Sequence, residues 1–97
     1  MIKIGDYVIV RTYSAGVFAG TLAARDGKEV ELTGARRLWR WYGAASLSQL
    51  ATTGTSDAGR CQFPAPVDAV ELTEAIEILA VTDAGRKSIE GVKVWQI

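Results

Sequence analysis

Residues 35–42 contain the side chains of this chain that are best suited to binding a ligand. They read Ala-Arg-Arg-Leu-Trp-Arg-Trp-Tyr, so three arginines and three aromatic residues lie within eight positions. Arginine carries a permanent, planar charge that matches phosphate oxygens, and it also stacks on flat rings. Tryptophan and tyrosine supply surfaces on which another ring can stack. The segment therefore indicates a site for a phosphorylated ligand that carries a ring.

The same residue types also mark protein cores and subunit contacts, and both alternatives stay open at this point. The arginines can be solvated or paired with carboxylates, and Trp39 and Trp41 can pack in a core or an interface. Side chains alternate along a strand. An extended segment would therefore place on one face Arg37, Trp39 and Trp41, and on the other Arg36, Leu38, Arg40 and Tyr42. It follows that these residues cannot all serve one pocket.

Charge balance narrows the class of ligand. The chain has 97 residues, 11 basic and 11 acidic side chains and no net charge. A protein that binds long nucleic acids usually has a basic excess, so we do not expect duplex DNA or RNA as the main partner. Residues 1–48 carry seven basic and four acidic side chains, whereas residues 49–97 carry four and seven. This asymmetry leaves room for one local basic pocket, which suits a small anion.

Few residues offer catalytic or metal-binding chemistry. The chain has no histidine, the commonest general base and metal ligand, and a single cysteine, Cys61, which excludes an internal disulfide. We expect Cys61 to be a buried small hydrophobic residue or an idle loop thiol. Glu71 and Glu74 would lie on opposite faces of a strand and so could not share a cation. We therefore expect no catalytic residue, no metal and no cofactor.

The elements that must position these residues are mainly strands. The patterns predict strands over residues 7–11, 17–24, 28–32 and 67–72, with Asp26-Gly27 as a hairpin turn and a bulge or close backbone approach at Gly20. Residues 35–42 also read as extended, and residues 74–79 as a strand or a helix. Short helices are predicted over residues 46–51, with Ser46 as the N-cap, and from Thr82 or Asp83 to Gly91.

These elements predict a small α+β fold: one domain over residues 1–97, with an antiparallel sheet and two short helices. A domain of this size often gains stability by oligomerising, so we expect a homo-oligomer. No apolar run approaches the roughly 20 residues of a membrane span, and the N-terminus lacks the apolar region of a signal peptide. We expect a soluble cytoplasmic protein without a membrane partner.

Several strings of the sequence resemble a family of small phage and prophage proteins, the first-described Thoeris anti-defence proteins. The most specific are Arg-Thr-Tyr-Ser-Ala-Gly-Val at residues 11–17 and Ala-Arg-Arg-Leu-Trp-Arg-Trp-Tyr-Gly-Ala at residues 35–44. The similarity continues through Gly-Thr-Leu at 20–22, Gly-Lys-Glu-Val at 27–30, Leu-Thr-Glu-Ala-Ile-Glu-Ile at 72–78, Ser-Ile-Glu at 88–90 and Val-Trp at 94–95. It therefore covers nearly the whole chain.

This resemblance implies a binding protein that acts in the cytoplasm of an infected bacterial host. Such proteins sequester cyclic ADP-ribose isomers, glycocyclic ADP-ribose among them, without cleaving them, and so block the TIR-dependent Thoeris immune response. Family members are homo-oligomers built on a dimer, with a hexamer as the larger form, and some also hold cyclic di- or trinucleotides. Phe18 stands where some relatives carry histidine, which is a departure from the pattern.

The resemblance also implies which residues hold the ligand. It points to Arg11, Arg36 and Arg37 for the phosphates and to Thr73 for a hydroxyl or a base edge. Phe63 would stack on the adenine, because an exposed, rigid segment beside a proline would hold a ring at low entropic cost. Tyr13, which flanks the first turn with Arg11, completes the predicted site.

Two other classes of function remain open from the sequence. The first is an enzyme that hydrolyses a cyclic nucleotide or a nucleotide sugar, with Tyr13, Asp57, Asp68 or one of the glutamates as acid or base. No pair of these residues has a recognisable catalytic spacing. The second is a structural oligomerisation module in which the tryptophans form the subunit contact.

Overall fold

Five strands and two helices follow one another in the computed structural model, which describes all 97 residues. Their bounds are β1 Tyr7–Thr12, β2 Val17–Asp26, β3 Glu29–Arg37, α1 Leu47–Thr52, β4 Val67–Leu72, β5 Ala75–Ala80 and α2 Asp83–Gly91. A short 3-10 turn, Ala58–Arg60, lies between α1 and β4. The α+β class, the antiparallel sheet and the two short helices are confirmed. Residues 75–80, which the pattern left as strand or helix, form a strand.

The sheet is antiparallel and has the strand order β4-β3-β2-β1-β5. Only Thr73 and Glu74 join β4 to β5, although these two strands lie at opposite edges of the sheet. The sheet must therefore curl until its edges approach each other. One backbone hydrogen bond supports this closure, because the Ala75 amide at the start of β5 donates to the carbonyl of Lys28, in the turn between β2 and β3, at 3.0 Å. The Tyr13 amide extends the pairing of β1 with β5 by donating to the Glu74 carbonyl at 2.9 Å.

Glycines allow the long strand β2 to bend. The register of β2 against β3 shifts between Ala19 and Thr21, which confirms the irregularity predicted at Gly20. A Cβ atom on Gly20 would lie 3.0 Å from the Thr33 carbonyl oxygen, so the two backbones approach too closely for a larger residue. The predicted hairpin is present one residue later than expected, since Gly27 and Lys28 form its two-residue loop and Gly27 has a φ of 60°.

The curled sheet has two cores, one on each face. The inner face encloses side chains that all five strands point inward, and the buried ones are Val8, Val10, Phe18, Leu22, Val30, Leu32, Ala35 and Leu72. The outer face packs against the helices and the chain before β4, with a buried set of Ile9, Ala19, Leu38, Leu50, Ala51, Cys61, Phe63, Ile89 and Val92. Of the two alternatives left open for Cys61, the structure shows the buried one.

Helix α1 begins as predicted, since the Ser46 hydroxyl accepts a hydrogen bond from the Gln49 amide. It packs on α2, where Gly85 is buried against the backbone of Ala51. Helix α2 in turn begins after Thr82, whose hydroxyl accepts from the Gly85 amide. The helices thus sit on the outer face of the sheet.

The arginine-rich segment is extended only in part. Strand β3 ends at Arg37, and beyond it a single bridge joins Arg40 to Gln62. The predicted alternation therefore holds for Arg36 and Leu38, which are buried, against Arg37 and Trp39, which are exposed. Arg40, predicted to share the face of Leu38, is exposed, and the prediction of an extended segment over residues 35–42 holds as a strand only to Arg37. Neither helix has the length and apolar content that crossing a bilayer requires.

Candidate functional site

Arg36 and Arg37 are neighbours in sequence, but they lie in opposite environments. Arg36 pairs with Ala19 on the outer face of the sheet and is 5% exposed. Its guanidinium donates to the carbonyl oxygens of Pro64 at 2.9 Å, Ile89 at 2.9 Å and Phe63 at 3.1 Å. Burial lowers the pKa of Arg36, and the nearby Tyr7 hydroxyl partly opposes this effect. Arg36 therefore joins β3 to the chain before β4 and to α2, and it has no surface to offer a phosphate.

Phe63 is also part of this buried assembly. Its ring is 0% exposed, and the Arg36 guanidinium carbon lies 5.6 Å from the ring centroid. The expectation of an exposed ring beside Pro64 is wrong. The extended segment crosses the outer face of the sheet and turns the Phe63 ring into the core. Phe63 cannot stack on a ligand in this structure.

Arg37 lies at the rim of the inner face and is exposed. It pairs with Phe18 in the sheet, and its guanidinium carbon lies 4.3 Å from the Phe18 ring centroid. One nitrogen, Nη1, donates to the Ala15 carbonyl at 2.5 Å. The ion pairs of the protein are Arg11–Glu77, Arg60–Asp57 and Arg86–Glu90, so Arg37 has no carboxylate partner. Four of its five N–H groups remain available while stacking and one hydrogen bond hold the side chain in place.

The turn between β1 and β2, residues 13–16, sets the position of Arg37. The Thr12 hydroxyl accepts from the Ala15 amide at 2.9 Å and donates to the Gly16 carbonyl at 2.8 Å, which closes the turn. Gly16 has a φ of 92°, a conformation that side chains disfavour. A Cβ atom at Gly16 would lie 3.5 Å from Arg37 Nη1. The turn therefore passes close to the guanidinium with its backbone.

The predicted site residues Arg11, Tyr13 and Thr73 lie around the same turn, on the side where the carboxylates of Glu74 and Glu77 are found. Tyr13 is 73% exposed, and its amide donates to the backbone carbonyl of Glu74, the residue after the exposed Thr73. The Glu74 carboxylate accepts a hydrogen bond from the Ser14 hydroxyl at 3.3 Å. Arg11 is paired with Glu77, with 3.1 Å between Nε and Oε1. These carboxylates weaken the attraction of that side for an anion. The structure therefore gathers Arg11, Tyr13, Arg37 and Thr73 around one turn, yet only Arg37 has no carboxylate beside it.

Two surface clefts are lined by Arg37 and by no acidic side chain. The first, which we call the turn cleft, has a volume of about 310 Å³ and is lined by Ser14, Ala15, Gly16, Val17, Arg37, Leu38, Trp39 and Trp41. The second, the proline cleft, has about 350 Å³ and is lined by Phe18, Ala35, Arg37, Pro64, Ala65, Val67, Ala69 and Val70. Small-molecule sites begin near this volume.

Three other clefts contain carboxylates and suit an anion less well. One is lined by Asp26, Glu29, Glu31 and Glu71 beside a single arginine. The others contain Glu77 in one case and Asp6 with Asp83 in the other. No group of three or more His, Cys, Asp or Glu side chains could hold a metal ion. The clefts at Arg37 are thus distinguished by charge as well as by their aromatic and apolar walls.

The sequence did not reveal an aromatic stack at the edge of the turn cleft. Trp39 and Trp95 stack with 4.9 Å between ring centroids and 27° between ring planes. The two residues are 47% and 36% exposed. The Arg40 guanidinium carbon lies 4.6 Å from the Trp39 ring, and Arg40 has no carboxylate partner. Alternation along the segment predicts that Trp39 shares a face with Arg37, but nothing local indicates its exposure or its contact with Trp95.

Comparison with known proteins gives a family without an assigned activity. A family model described as a domain of unknown function, DUF6948, matches residues 5–89. No curated protein and no solved structure matches the chain. The matched range includes all five strands and every residue that lines the two clefts at Arg37, and it ends before Trp95.

Proposed function

Since the chain belongs to the DUF6948 family of unknown function, we propose its function from its own residues. It binds a cyclic ADP-ribose isomer at Arg37 and sequesters it without cleaving it. In an infected bacterium this would withhold the signal of the TIR-dependent Thoeris response. The observation that carries the proposal is an exposed guanidinium, held over a ring and free of carboxylates, at two clefts of nucleotide-compatible chemistry.

The two strings with the most specific resemblance to the anti-defence family support this ligand class. Residues 11–17 form the end of β1, its turn and the first residue of β2, and residues 35–44 contain the end of β3. The two segments meet where Arg37 donates to the Ala15 carbonyl. Both contribute walls of the turn cleft. The residues that carry the resemblance thus belong to the site that the charges select.

The chemistry of the clefts fits a diphosphate flanked by rings. Arg37 can present two parallel N–H groups to phosphate oxygens. Trp41 and Trp39 supply flat surfaces in the turn cleft, and Phe18 supplies an apolar floor to the proline cleft. Neither cleft is lined by an Asp, Glu, Lys or Cys side chain. The Ser14 hydroxyl lines the turn cleft, but the chain has no histidine and the cleft no lysine that could act as its base. This favours binding over turnover.

The affinity that sequestration requires favours a binding site shared between two subunits. Effective sequestration needs nanomolar binding, which is about −12 kcal/mol. One charge-assisted hydrogen bond contributes about 1.5–3 kcal/mol, and both clefts are open on one chain. We therefore propose a homo-oligomer built on a dimer, in which a second subunit closes the site. Light scattering that gave only the monomer mass of 10.4 kDa would remove this part of the proposal.

One experiment tests the function directly. Cyclic ADP-ribose isomers, cyclic dinucleotides and cyclic trinucleotides are titrated into the protein by calorimetry, after which the complex is heated and the supernatant is analysed. Intact cyclic ADP-ribose isomer is the expected result. Recovery of a hydrolysed product would establish an enzyme instead, and the absence of heat with every ligand would favour a structural module.

Arginine variants locate the site in the same assay. Arg37→Ala should weaken binding about 10- to 150-fold, which corresponds to one charge-assisted hydrogen bond. Arg11→Ala is the matched control, because it removes an exposed arginine of β1 that is already paired with Glu77. Equal losses in both variants would indicate a general charge effect rather than a site at Arg37.

A further inference from the structure

Trp95 belongs to the short tail after α2 but is tied to the core of the protein. Its amide donates to the Phe63 carbonyl at 3.0 Å, and Val94 forms a parallel bridge with the same residue. The Phe63 carbonyl also accepts a hydrogen bond from the buried Arg36. The backbone under Trp95 is therefore anchored to one of the most buried points of the fold.

This anchoring places the Trp95 ring against Trp39. Trp39 lines the turn cleft, whereas Trp95 does not. Trp39 follows the end of β3 and lies in no regular element. An exposed tryptophan in such a segment would ordinarily sample several rotamers, and a ligand would have to select one of them at an entropic cost. The stack with Trp95 limits this freedom before any ligand arrives.

We propose that Trp95 is a positioning residue for base recognition. It holds the Trp39 indole as the wall of the turn cleft on which the ligand's purine stacks, while Arg37 binds the phosphate. The Arg40 guanidinium carbon lies over the Trp39 ring, 4.6 Å from the ring centroid. Because Arg40 is exposed and has no carboxylate partner, it can leave this position when the purine stacks on Trp39. This inference rests on the proposed function and names the part of the site that distinguishes a nucleotide from a bare phosphate.

The test compares a ligand that carries a base with one that has none. Cyclic ADP-ribose reports on both the base and the phosphates, and inorganic pyrophosphate reports on Arg37 alone. Each is titrated into the wild-type protein and its variants, with calorimetry for the nucleotide and amide chemical shifts of the turn at residues 13–16 for pyrophosphate. Because the stacking of a base on an aromatic side chain contributes to affinity, Trp39→Ala should lower the affinity for cyclic ADP-ribose roughly 5- to 100-fold.

Trp95→Ala should lower the affinity for cyclic ADP-ribose by about 3- to 10-fold and leave the affinity for pyrophosphate within about twofold of wild type. Trp95→Phe should recover most of the loss, because a phenyl ring can still stack. In a Trp39→Ala background the change at position 95 should have no further effect, since the wall it supports is gone. Ile97→Ala, in the same tail, is the control and should match wild type.

The outcomes separate this inference from the proposed function. If the wild-type protein binds neither ligand, the proposed function fails and the inference fails with it. If the wild-type protein binds the nucleotide but Trp95→Ala weakens both ligands equally, Trp95 only maintains the fold. If Trp95→Ala changes neither affinity, Trp39 is positioned without it. In both of these cases the role of Trp95 is refuted while binding at Arg37 stands.

Discussion

Alanine substitutions at the adjacent residues Arg36 and Arg37 should affect different properties: Arg36→Ala should lower stability, and Arg37→Ala should lower ligand affinity. Arg36→Ala removes three hydrogen bonds to buried or half-buried carbonyl oxygens and leaves a space beside Phe63. Hydrogen bonds that involve a charged group contribute about 1.5–3 kcal/mol each. In a domain of this size each kcal/mol lowers Tm by roughly 4–8 °C. We therefore expect Tm to fall by more than about 10 °C.

Arg37→Ala removes one hydrogen bond and one stacking contact at an exposed position. These contribute about 1 kcal/mol to folding, so Tm should change by only a few degrees. The loss should fall on ligand binding instead. Residues 36 and 37 thus allow stability and binding to be measured separately by changes one position apart.

Differential scanning calorimetry gives the stability of each variant, and isothermal titration with cyclic ADP-ribose gives its affinity. Arg36→Lys serves as a second variant that keeps the charge but cannot reproduce the planar fork, and it should lie between wild type and Arg36→Ala. A stable, wild-type-like Arg36→Ala that no longer bound the ligand would refute the structural role of Arg36. A strongly destabilised Arg37→Ala would refute its role as an exposed anion contact.

Three further results are expected. Gly85→Ala should destabilise the protein by about 1–3 kcal/mol in urea unfolding, because the added methyl group would overlap the Ala51 carbonyl, whereas Gly91→Ala has open space and should not. Gly16→Ala should cost more free energy of ligand binding, measured by calorimetry, than free energy of unfolding, measured in urea. The reason is that the φ of 92° at Gly16 shapes the turn that contacts the Arg37 guanidinium. Burial raises the pKa of Tyr7 from 10.0 to about 12, so the stability due to the neutral phenol is present below pH 10 and lost between pH 10 and 12. Urea midpoints across this range should fall less in Tyr7→Phe; an equal fall would show that another group titrates.

Much of the sheet could be predicted, because its signals are local. Alternating apolar residues located four strands, and Asp26-Gly27 located the hairpin between β2 and β3 to within one residue. Alternation also separated Arg36 from Arg37. It could not say which of them is buried, because the outer face is covered by Phe63 and α2, which lie far away in sequence.

The errors in the predicted site have the same origin. Pro64 correctly indicated an extended segment, but whether that segment lies on the surface or across the sheet depends on tertiary packing. The prediction that the Phe63 ring is exposed was therefore wrong. The contact of Trp39 with Trp95 joins the end of β3 to the tail, and no local pattern records it. That Arg36 or Arg37 holds ligand could be proposed from the sequence, whereas the choice of Arg37 and the aromatic wall beside it could not.

The three hydrogen bonds of Arg36 also bear on how the protein folds. Its acceptors come from the segment before β4 and from α2, so the guanidinium leaves water without penalty only when both are in place. A partly folded chain with a formed sheet and a detached α2 would hold an unpaired charge against an apolar surface. Burial of Arg36 should therefore come late, and the sheet, the crossing segment and the last helix should open together in native-state hydrogen exchange. One side chain thereby couples the end of β3, the segment before β4 and the last helix in a single opening unit.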